Sequence, residues 1–422
     1  MSLLVRRVVC SWFACAVSVG SSLAAPPLVI QAEKIYTVSG PVIENGSIVC
    51  ADGKIVAIAE TKQITIQSDA KVIKASVVLP GLIDVRTCVG LSGIFNAKQD
   101  SDQLESSSPL QPELRAIDAF NPREELVDYI RGFGITTIHT GHAPGELIAG
   151  QTLIAKTAGN TVEQALMIDG RAIAATLAEA SSKSGKQSPG TRGKQMAMMR
   201  ALFIEAKEYQ AKRDKKPAKA SEGADAAAGP VESAVPRNLK LEAIAEVLSG
   251  KKALIITADR SQDIASALRL ASEFGIRIWL DSAAEAHMMI PQIQEAGVSI
   301  LLHPSMARAG GEKENLTFLN AKMLHDAKIP FAIQGGYEAY VPKARVVLFE
   351  AAIAAAHGLP REAAIESITL SPARILGISD RVGSIDIGKD ADLALYDGDP
   401  LEYTTHCTGV IINGQVVSDQ VN

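Results

Sequence analysis

Pro80-Gly-Leu-Ile-Asp-Val-Arg-Thr-Cys88 is the stretch on which the reading of this 422-residue chain turns. Pro-Gly is a turn signal, and the apolar residues after it form a short strand that ends on polar side chains. Alternate residues of a strand face one side, so Asp84, Arg86 and Cys88 are expected to project together. In a barrel of parallel strands, the end of a strand is where catalytic groups stand. The stretch therefore asks whether an aspartate, an arginine and a cysteine can serve such a position.

Working upstream, Leu28–Val78 reads as strand after strand with tight turns. Ser47–Ala51, Asp52-Gly53 and the following Lys54–Ala59 form a strong hairpin signal. The far end of the chain has the same character: Ala391–Tyr396 runs into Asp397-Gly398, and Gly409–Ile412 turns at Asn413-Gly414. Two β-rich ends around an unlike middle imply one small β domain assembled from both.

Downstream, strands and helices alternate. Ile135–His139 follows a helical Arg123–Phe133, and short apolar runs begin at Ala253, Arg277, Val298 and Pro330. Helical segments are expected over Asp263–Phe274, Ala284–Ala296 and Asn320–Ala327, with Gly275 and Gly297 at helix ends. Repeated strand–helix units imply a parallel sheet, and this many favour a closed barrel. Helices over Ala344–His357 and Pro360–Thr369 complete the middle. One region breaks the rhythm: Ser181–Arg192, rich in Ser, Lys and Gly, and residues 211–236, rich in Lys, Ala, Glu, Gly and Pro, have the composition of a flexible surface insertion. Gly193–Gln210, between them, has apolar residues at helical spacing and is expected to be a helix.

A hydrophobic fraction of 47% with 21% charged residues is that of a globular chain with a sizeable core. The net charge of −5 gives no sign of nucleic-acid binding. Residues 1–24 read as a signal peptide: Arg6-Arg7 precede an apolar run, and Ser22-Leu23-Ala24 offers small residues for cleavage. The flanks of Arg6-Arg7 are poor for twin-arginine export. Export to the periplasm or outside the cell is expected, with no later stretch apolar enough to span a bilayer. Cleavage leaves Cys50, Cys88 and Cys407, too few for a disulfide scaffold.

Gly383-Ser-Ile-Asp-Ile-Gly-Lys-Asp-Ala-Asp-Leu-Ala-Leu-Tyr-Asp-Gly-Asp-Pro400 resembles the signature with which amidohydrolase-superfamily chains leave their barrel. Ala363–Gly377 resembles the helix before it, and Pro80–Asp84 the entry to the first barrel strand. Gly134–Ile138 and Ala149–Gly159 are similar to the imidazolonepropionase-like branch. The resemblance implies an α/β fold: a (β/α)8 TIM-type barrel over 80–377 and a composite β-sandwich domain from 25–79 and 378–422. It also implies hydrolysis of amide, lactam or related C–N bonds by zinc or another divalent metal. Histidines, a carboxylated lysine and an aspartate hold such a metal, which ionises a water to attack the carbonyl.

Placed on this sequence, the resemblance puts the first-strand His-X-His at Arg86 and Cys88. A guanidinium is permanently cationic and cannot ligate a metal, and one thiolate alone is not a site. The regions of the fifth- and sixth-strand histidines, Thr257–Asp259 and Asp281-Ser282, contain none, and Gln334-Gly335-Gly336 stands where the last-strand aspartate belongs. No cofactor is therefore expected. The remaining candidate pocket residues are Asp84, Arg86, Cys88, His139, His142, Asp259, Asp281 and His303. His139 and His142 read as polar rim residues and His287 as a helical residue at the surface or in packing, while Asp259 and Asp281 could pair with Arg86 in place of metal charge. Three functions compete: a catalytically impaired relative that binds a small-molecule ligand or a partner, a C–N hydrolase with a rebuilt or metal-independent site, and a structural envelope subunit. A homo-oligomer, or a hetero-oligomer with an active relative, fits the first.

Overall fold

The computed structural model describes residues 26–95, 97–214, 235–303, 309–337 and 346–422. Residues 1–25, which include the expected signal peptide, and most of the expected insertion, from 215 to 234, lie outside the described residues. The chain begins with β1 (Leu28–Ile35), β2 (Ile43–Ala51), β3 (Lys54–Glu60), β4 (Lys71–Pro80) and β5 (Leu82–Thr87). Then come α1 (Glu125–Gly132), β6 (Ile135–Thr140), β7 (Ile148–Lys156), α2 (Val162–Ala165) and β8 (Leu166–Thr176). Next are α3 (Arg192–Asp214), α4 (Leu239–Leu248), β9 (Ala253–Ala258), α5 (Ser261–Phe274), β10 (Ile278–Ser282) and α6 (Ile290–Ala296). β11 (Ser299–Leu302), α7 (Asn320–Asp326), β12 (Phe331–Ile333), α8 (Val347–Ala356), α9 (Arg361–Glu366) and α10 (Leu370–Leu376) follow. β13 (Leu393–Tyr396), β14 (Cys407–Ile412) and β15 (Gln415–Ser418) end the chain.

The two ends form one seven-stranded sheet in the order β15-β14-β13-β4-β1-β2-β3. Its seam is the antiparallel pairing of β4 with β13, where Pro80 faces Leu393 and Val77 faces Tyr396. The middle forms an eight-stranded sheet running from β5 to β12 in sequence order. Its edges are drawn together by one backbone segment. Ile83 N–H donates to the carbonyl of Ile368 at 2.9 Å, and Ile333 N–H to that of Ser367 at 2.9 Å. The result is a nearly closed barrel, as the strand–helix alternation predicts.

One strand departs from the all-parallel expectation. β7 pairs antiparallel with both β6 and β8. No helix lies between Thr140 and Ile148, so the chain has no crossover to carry it back and returns directly. The helix expected over Ala284–Ala296 is also shorter. Ser282 and Ala283 have φ of 69° and 57°, Ala286–Met288 is a single 3-10 turn, and α6 starts only at Ile290 with Pro291 in its first turn. The helix expected over Gly193–Gln210 is present as α3, with Met196, Met199, Leu202 and Phe203 buried.

The two sheets meet at Pro80-Gly81, because β4 runs straight into β5. Gly81 donates its N–H to the carbonyl of Asp392 at 2.9 Å, and a Cβ on it would lie 2.1 Å from Thr136 Oγ1. Gly81→Ala is therefore expected to destabilise the fold by about 1–3 kcal/mol, the cost of overpacking a closed contact. A lowered urea midpoint checks this, and adding Thr136→Ala, which removes the two nearest atoms, should recover part of it. A second tie is Lys156 at the end of β7. Its buried ammonium donates to Asp390 Oδ2 at 2.7 Å, to Asp392 Oδ1 at 3.1 Å and to Asn413 Oδ1. Burial of a lysine is tolerated only with such compensation, and here it fastens the barrel to the tail of the chain.

Candidate binding site at the barrel mouth

Inside the barrel, Ile255, Trp279, Leu301 and Ala332 belong to one buried apolar cluster. Two residues further along three of those strands, the side chains turn polar: Thr257, Asp281 and Gln334. Thr257 Oγ1 donates to Asp281 Oδ2 at 2.5 Å, and Gln334 Nε2 donates to Asp281 Oδ1 at 2.7 Å. Gln334 Nε2 also donates to the carbonyl of Leu301 at 2.8 Å. Strand periodicity thus places an apolar layer beneath and a polar layer above, at the end of the strands where ligands bind.

Into this layer comes Arg86, whose side chain is only 1% exposed. Its Nε lies 3.9 Å from Asp281 Oδ2. Nη1 donates to the carbonyl of Thr87 at 3.3 Å and Nη2 to that of His142. The guanidinium carbon stands 5.3 Å from the ring centroid of Tyr337, whose hydroxyl donates to Asp281 Oδ2 at 2.6 Å. A buried cation, one carboxylate and an aromatic face thus compensate one another.

Asp84 and Cys88 converge on the same place. Asp84 Oδ1 accepts the N–H of Arg86 at 3.2 Å and that of Gly335 at 3.3 Å, while Oδ2 has no hydrogen-bond partner. Burial pushes its carboxyl up to about 7, because desolvation penalises the charged form. Cys88 Sγ contacts Ser92 Oγ at 3.4 Å and the carbonyl of Tyr337 at 3.4 Å, and burial raises its thiol above the ordinary range.

The histidines lie deeper than the rim positions read from the sequence. His139 is fully buried, with Nδ1 2.9 Å from the carbonyl of Val85 and Nε2 2.7 Å from Thr152 Oγ1. Burial, with Arg86 nearby, lowers its pKa to about 3. His142 is buried too, and its pKa falls to about 4 for the same reasons. Neither of its ring nitrogens has a hydrogen-bond partner, which marks a polar group open to a ligand or water. His303 is buried with its ring 6.1 Å from that of Tyr337. His287 sits in the 3-10 turn rather than in a helix.

Asp259 does not join Arg86. It accepts from Ser282 Oγ at 2.6 Å and from the N–H of Ala284 at 3.1 Å, with Lys313 Nζ 3.9 Å away. Of the two aspartates matched to Arg86 from the sequence, Asp281 makes the pair and Asp259 braces the turn after β10. Sequence reasoning missed Tyr337 and Thr257. Tyr337 follows Gln334-Gly-Gly at a strand end, a position whose only sequence signal is adjacency to the place where the resemblance implies an aspartate.

These residues do not fit a divalent metal. Arg86 carries its own charge to the first-strand position, the Gln334 amide turns donors toward Asp281, and both ring nitrogens of His139 are engaged. Among the described residues, no group of three or more His, Cys, Asp or Glu could hold a metal ion. The arrangement can accept hydrogen-bonding groups of a ligand at Asp84 Oδ2, Gln334 Oε1 and the ring of His142, all buried and unpartnered.

Three comparisons place this geometry among known proteins. Residues 344–418 match the profile of a family described as "Amidohydrolase family". The chain is 25% identical over 409 residues to the amidohydrolase tasK of Hapsidospora irregularis, covering 89% of this chain but only 39% of that protein's length. An amidohydrolase from Thermotoga maritima superposes with a TM-score of 0.84 at 23% identity, over 93% of this chain and 100% of the other. An adenosine deaminase from Xanthomonas campestris, solved with bound zinc, superposes with a TM-score of 0.53 at 16% identity, over 92% of each chain.

Proposed function

We propose that this chain is an exported member of the amidohydrolase superfamily in which a fixed internal cation has replaced the metal and the barrel mouth serves to bind rather than to hydrolyse. The observation that carries the reading is Arg86. Its buried guanidinium is paired with Asp281 and covered by Tyr337, and the family resemblance matches Arg86 to a first-strand metal ligand, which supports the reading. A small polar molecule with hydrogen-bond donors suits the open acceptors of Asp84 and Gln334, and His142 can serve it in either sense. The resemblance of Gly134–Ile138 and Ala149–Gly159 to the imidazolonepropionase-like branch supports a compact cyclic ligand. A nucleophilic role for Cys88 is disfavoured by the same geometry, since its thiol is buried and held protonated.

Metal analysis of the purified mature protein, with lactam, hydantoin and N-acyl amino acid substrates, tests this. The expected result is metal well below one equivalent and no turnover with any of them. One equivalent of zinc together with turnover would overturn the reading. Sequencing the mature N-terminus from a periplasmic or culture fraction tests export, with cleavage after Ala24 as the expected outcome.

A further inference from the structure

α8 carries two apolar faces. Val347, Ala351 and Ala354 recur at helical spacing and are buried on one side, together with the single charged side chain of that side, Glu350. Phe349, Ala352, Ile353 and Ala356 recur at the same spacing on the other side and are only partly covered. A helix so largely apolar on both sides belongs in an interior, yet one side of this one borders a groove of about 780 Å³ that Leu401, Glu402, Tyr403 and Arg361 also line.

The apolar surface continues past both ends of the helix. At one end Phe349 stacks on Tyr403 with ring centroids 5.7 Å apart, and at the other His357 stacks on Phe318 at 4.7 Å. Leu319 and Met323, which follow Phe318 in the chain, and Met288, on the 3-10 turn that packs against α7, are all exposed, as is Tyr403 at 84%. Large side chains offer about 150–250 Å² each when bare, so at their partial exposure these five present on the order of 500 Å². A stable interface needs roughly 800 Å² per partner, and this surface supplies more than half of that as apolar anchors.

We infer that the outward face of α8 is the surface through which the chain pairs with a second copy of itself, the two helices crossing antiparallel about a two-fold axis near Ile353. The charges at its ends argue for a second copy rather than an unlike partner. Glu402, exposed, stands at the Tyr403 end. Lys322, partly exposed and paired with Asp326 on its own helix, stands beside Gly358 at the other. An antiparallel crossing brings Glu402 of each copy to Lys322 of the other, and sets each Phe349–Tyr403 stack against a His357–Phe318 stack. Ala352 and Ala356 are small enough to let the two helices approach closely. Such matching of a patch to itself is what a two-fold interface requires.

Sedimentation velocity of the full mature chain over a concentration series tests the inference. A dimer is expected, and Ile353→Glu should weaken it roughly tenfold or more while leaving the far-UV circular dichroism of the folded chain unchanged. Glu402→Lys and Lys322→Glu, both at exposed positions, should each weaken the dimer, and together they should restore it. This arm stands even where Ile353→Glu fails to fold. A monomer throughout the series, or a dimer indifferent to all three substitutions, overturns the proposal. Weakening by both single charge reversals without restoration by the pair overturns the antiparallel arrangement.

Discussion

Arg86→Ala is expected to destabilise the protein by about 3–5 kcal/mol, because it leaves Asp281 as a buried charge without its counterion. Asp281 is fully buried, and its remaining partners, Thr257, Gln334 and Tyr337, are all neutral donors. The carbonyls of Thr87 and His142 lose their donor in the same step. Urea unfolding followed by the fluorescence of Trp279 measures the loss. Replacing both members of the pair, Arg86→Leu with Asp281→Leu, should cost much less than Arg86→Ala, since neither charge is then stranded. A stability unchanged in Arg86→Ala would show that the guanidinium is not held as the structure places it.

Asp84→Asn should change how stability depends on pH. The Asp84 carboxyl rises from an ordinary 3.8 to about 7 in the folded protein, so the folded state holds this proton more tightly than the unfolded chain. Its contribution is complete below pH 3.8 and is lost as pH rises through about 7. A shift of this size corresponds to roughly 4 kcal/mol lost by pH 8. The amide of Asp84→Asn cannot ionise, and its oxygen can still accept from Arg86 and Gly335. The variant should therefore lose the decline between about pH 4 and 7 and be more stable than the parent at pH 8.

The buried histidines act with the opposite sign. Their pKa values fall to about 3 for His139 and about 4 for His142. The unfolded chain therefore binds more protons, and stability is lost as pH falls from the ordinary histidine value toward 4. Where the windows overlap the two histidines outweigh the one carboxyl, so the parent protein should be most stable near the ordinary histidine value of 6.5, and Asp84→Asn should extend that maximum toward higher pH. Urea midpoints across a pH series read both effects.

Several structural features were legible before any coordinates because they rest on local chemistry. The hairpin at Asp52-Gly53 has both residues at positive φ, as its turn type demands. The tail signature was legible because it does two jobs in one strand. Leu393 and Leu395 enter the core of the second sheet, while Asp390 and Asp392 hold Lys156 from the barrel. Such mixed burial leaves a distinctive string. The direction of β7 was not legible, since a strand's residues do not record which neighbour it runs against. Nor was the break before α6, where Ala, Glu and His all favour a helix and only the backbone at Ser282-Ala283 refuses one.

By itself the sequence determined the order of strands and helices, the joining of both chain ends in one sheet, and the absence of histidine where metal ligands would stand. These follow from spacing and residue type, which are properties of the chain alone. Only the tertiary structure decided which of two aspartates neutralises Arg86, that Tyr337 covers it, and that His139 is locked while His142 is left open. Those outcomes depend on distances of a few ångströms between β5, β6, β10 and β12, segments far apart along the chain. A buried charge is stable only where such distances close around it.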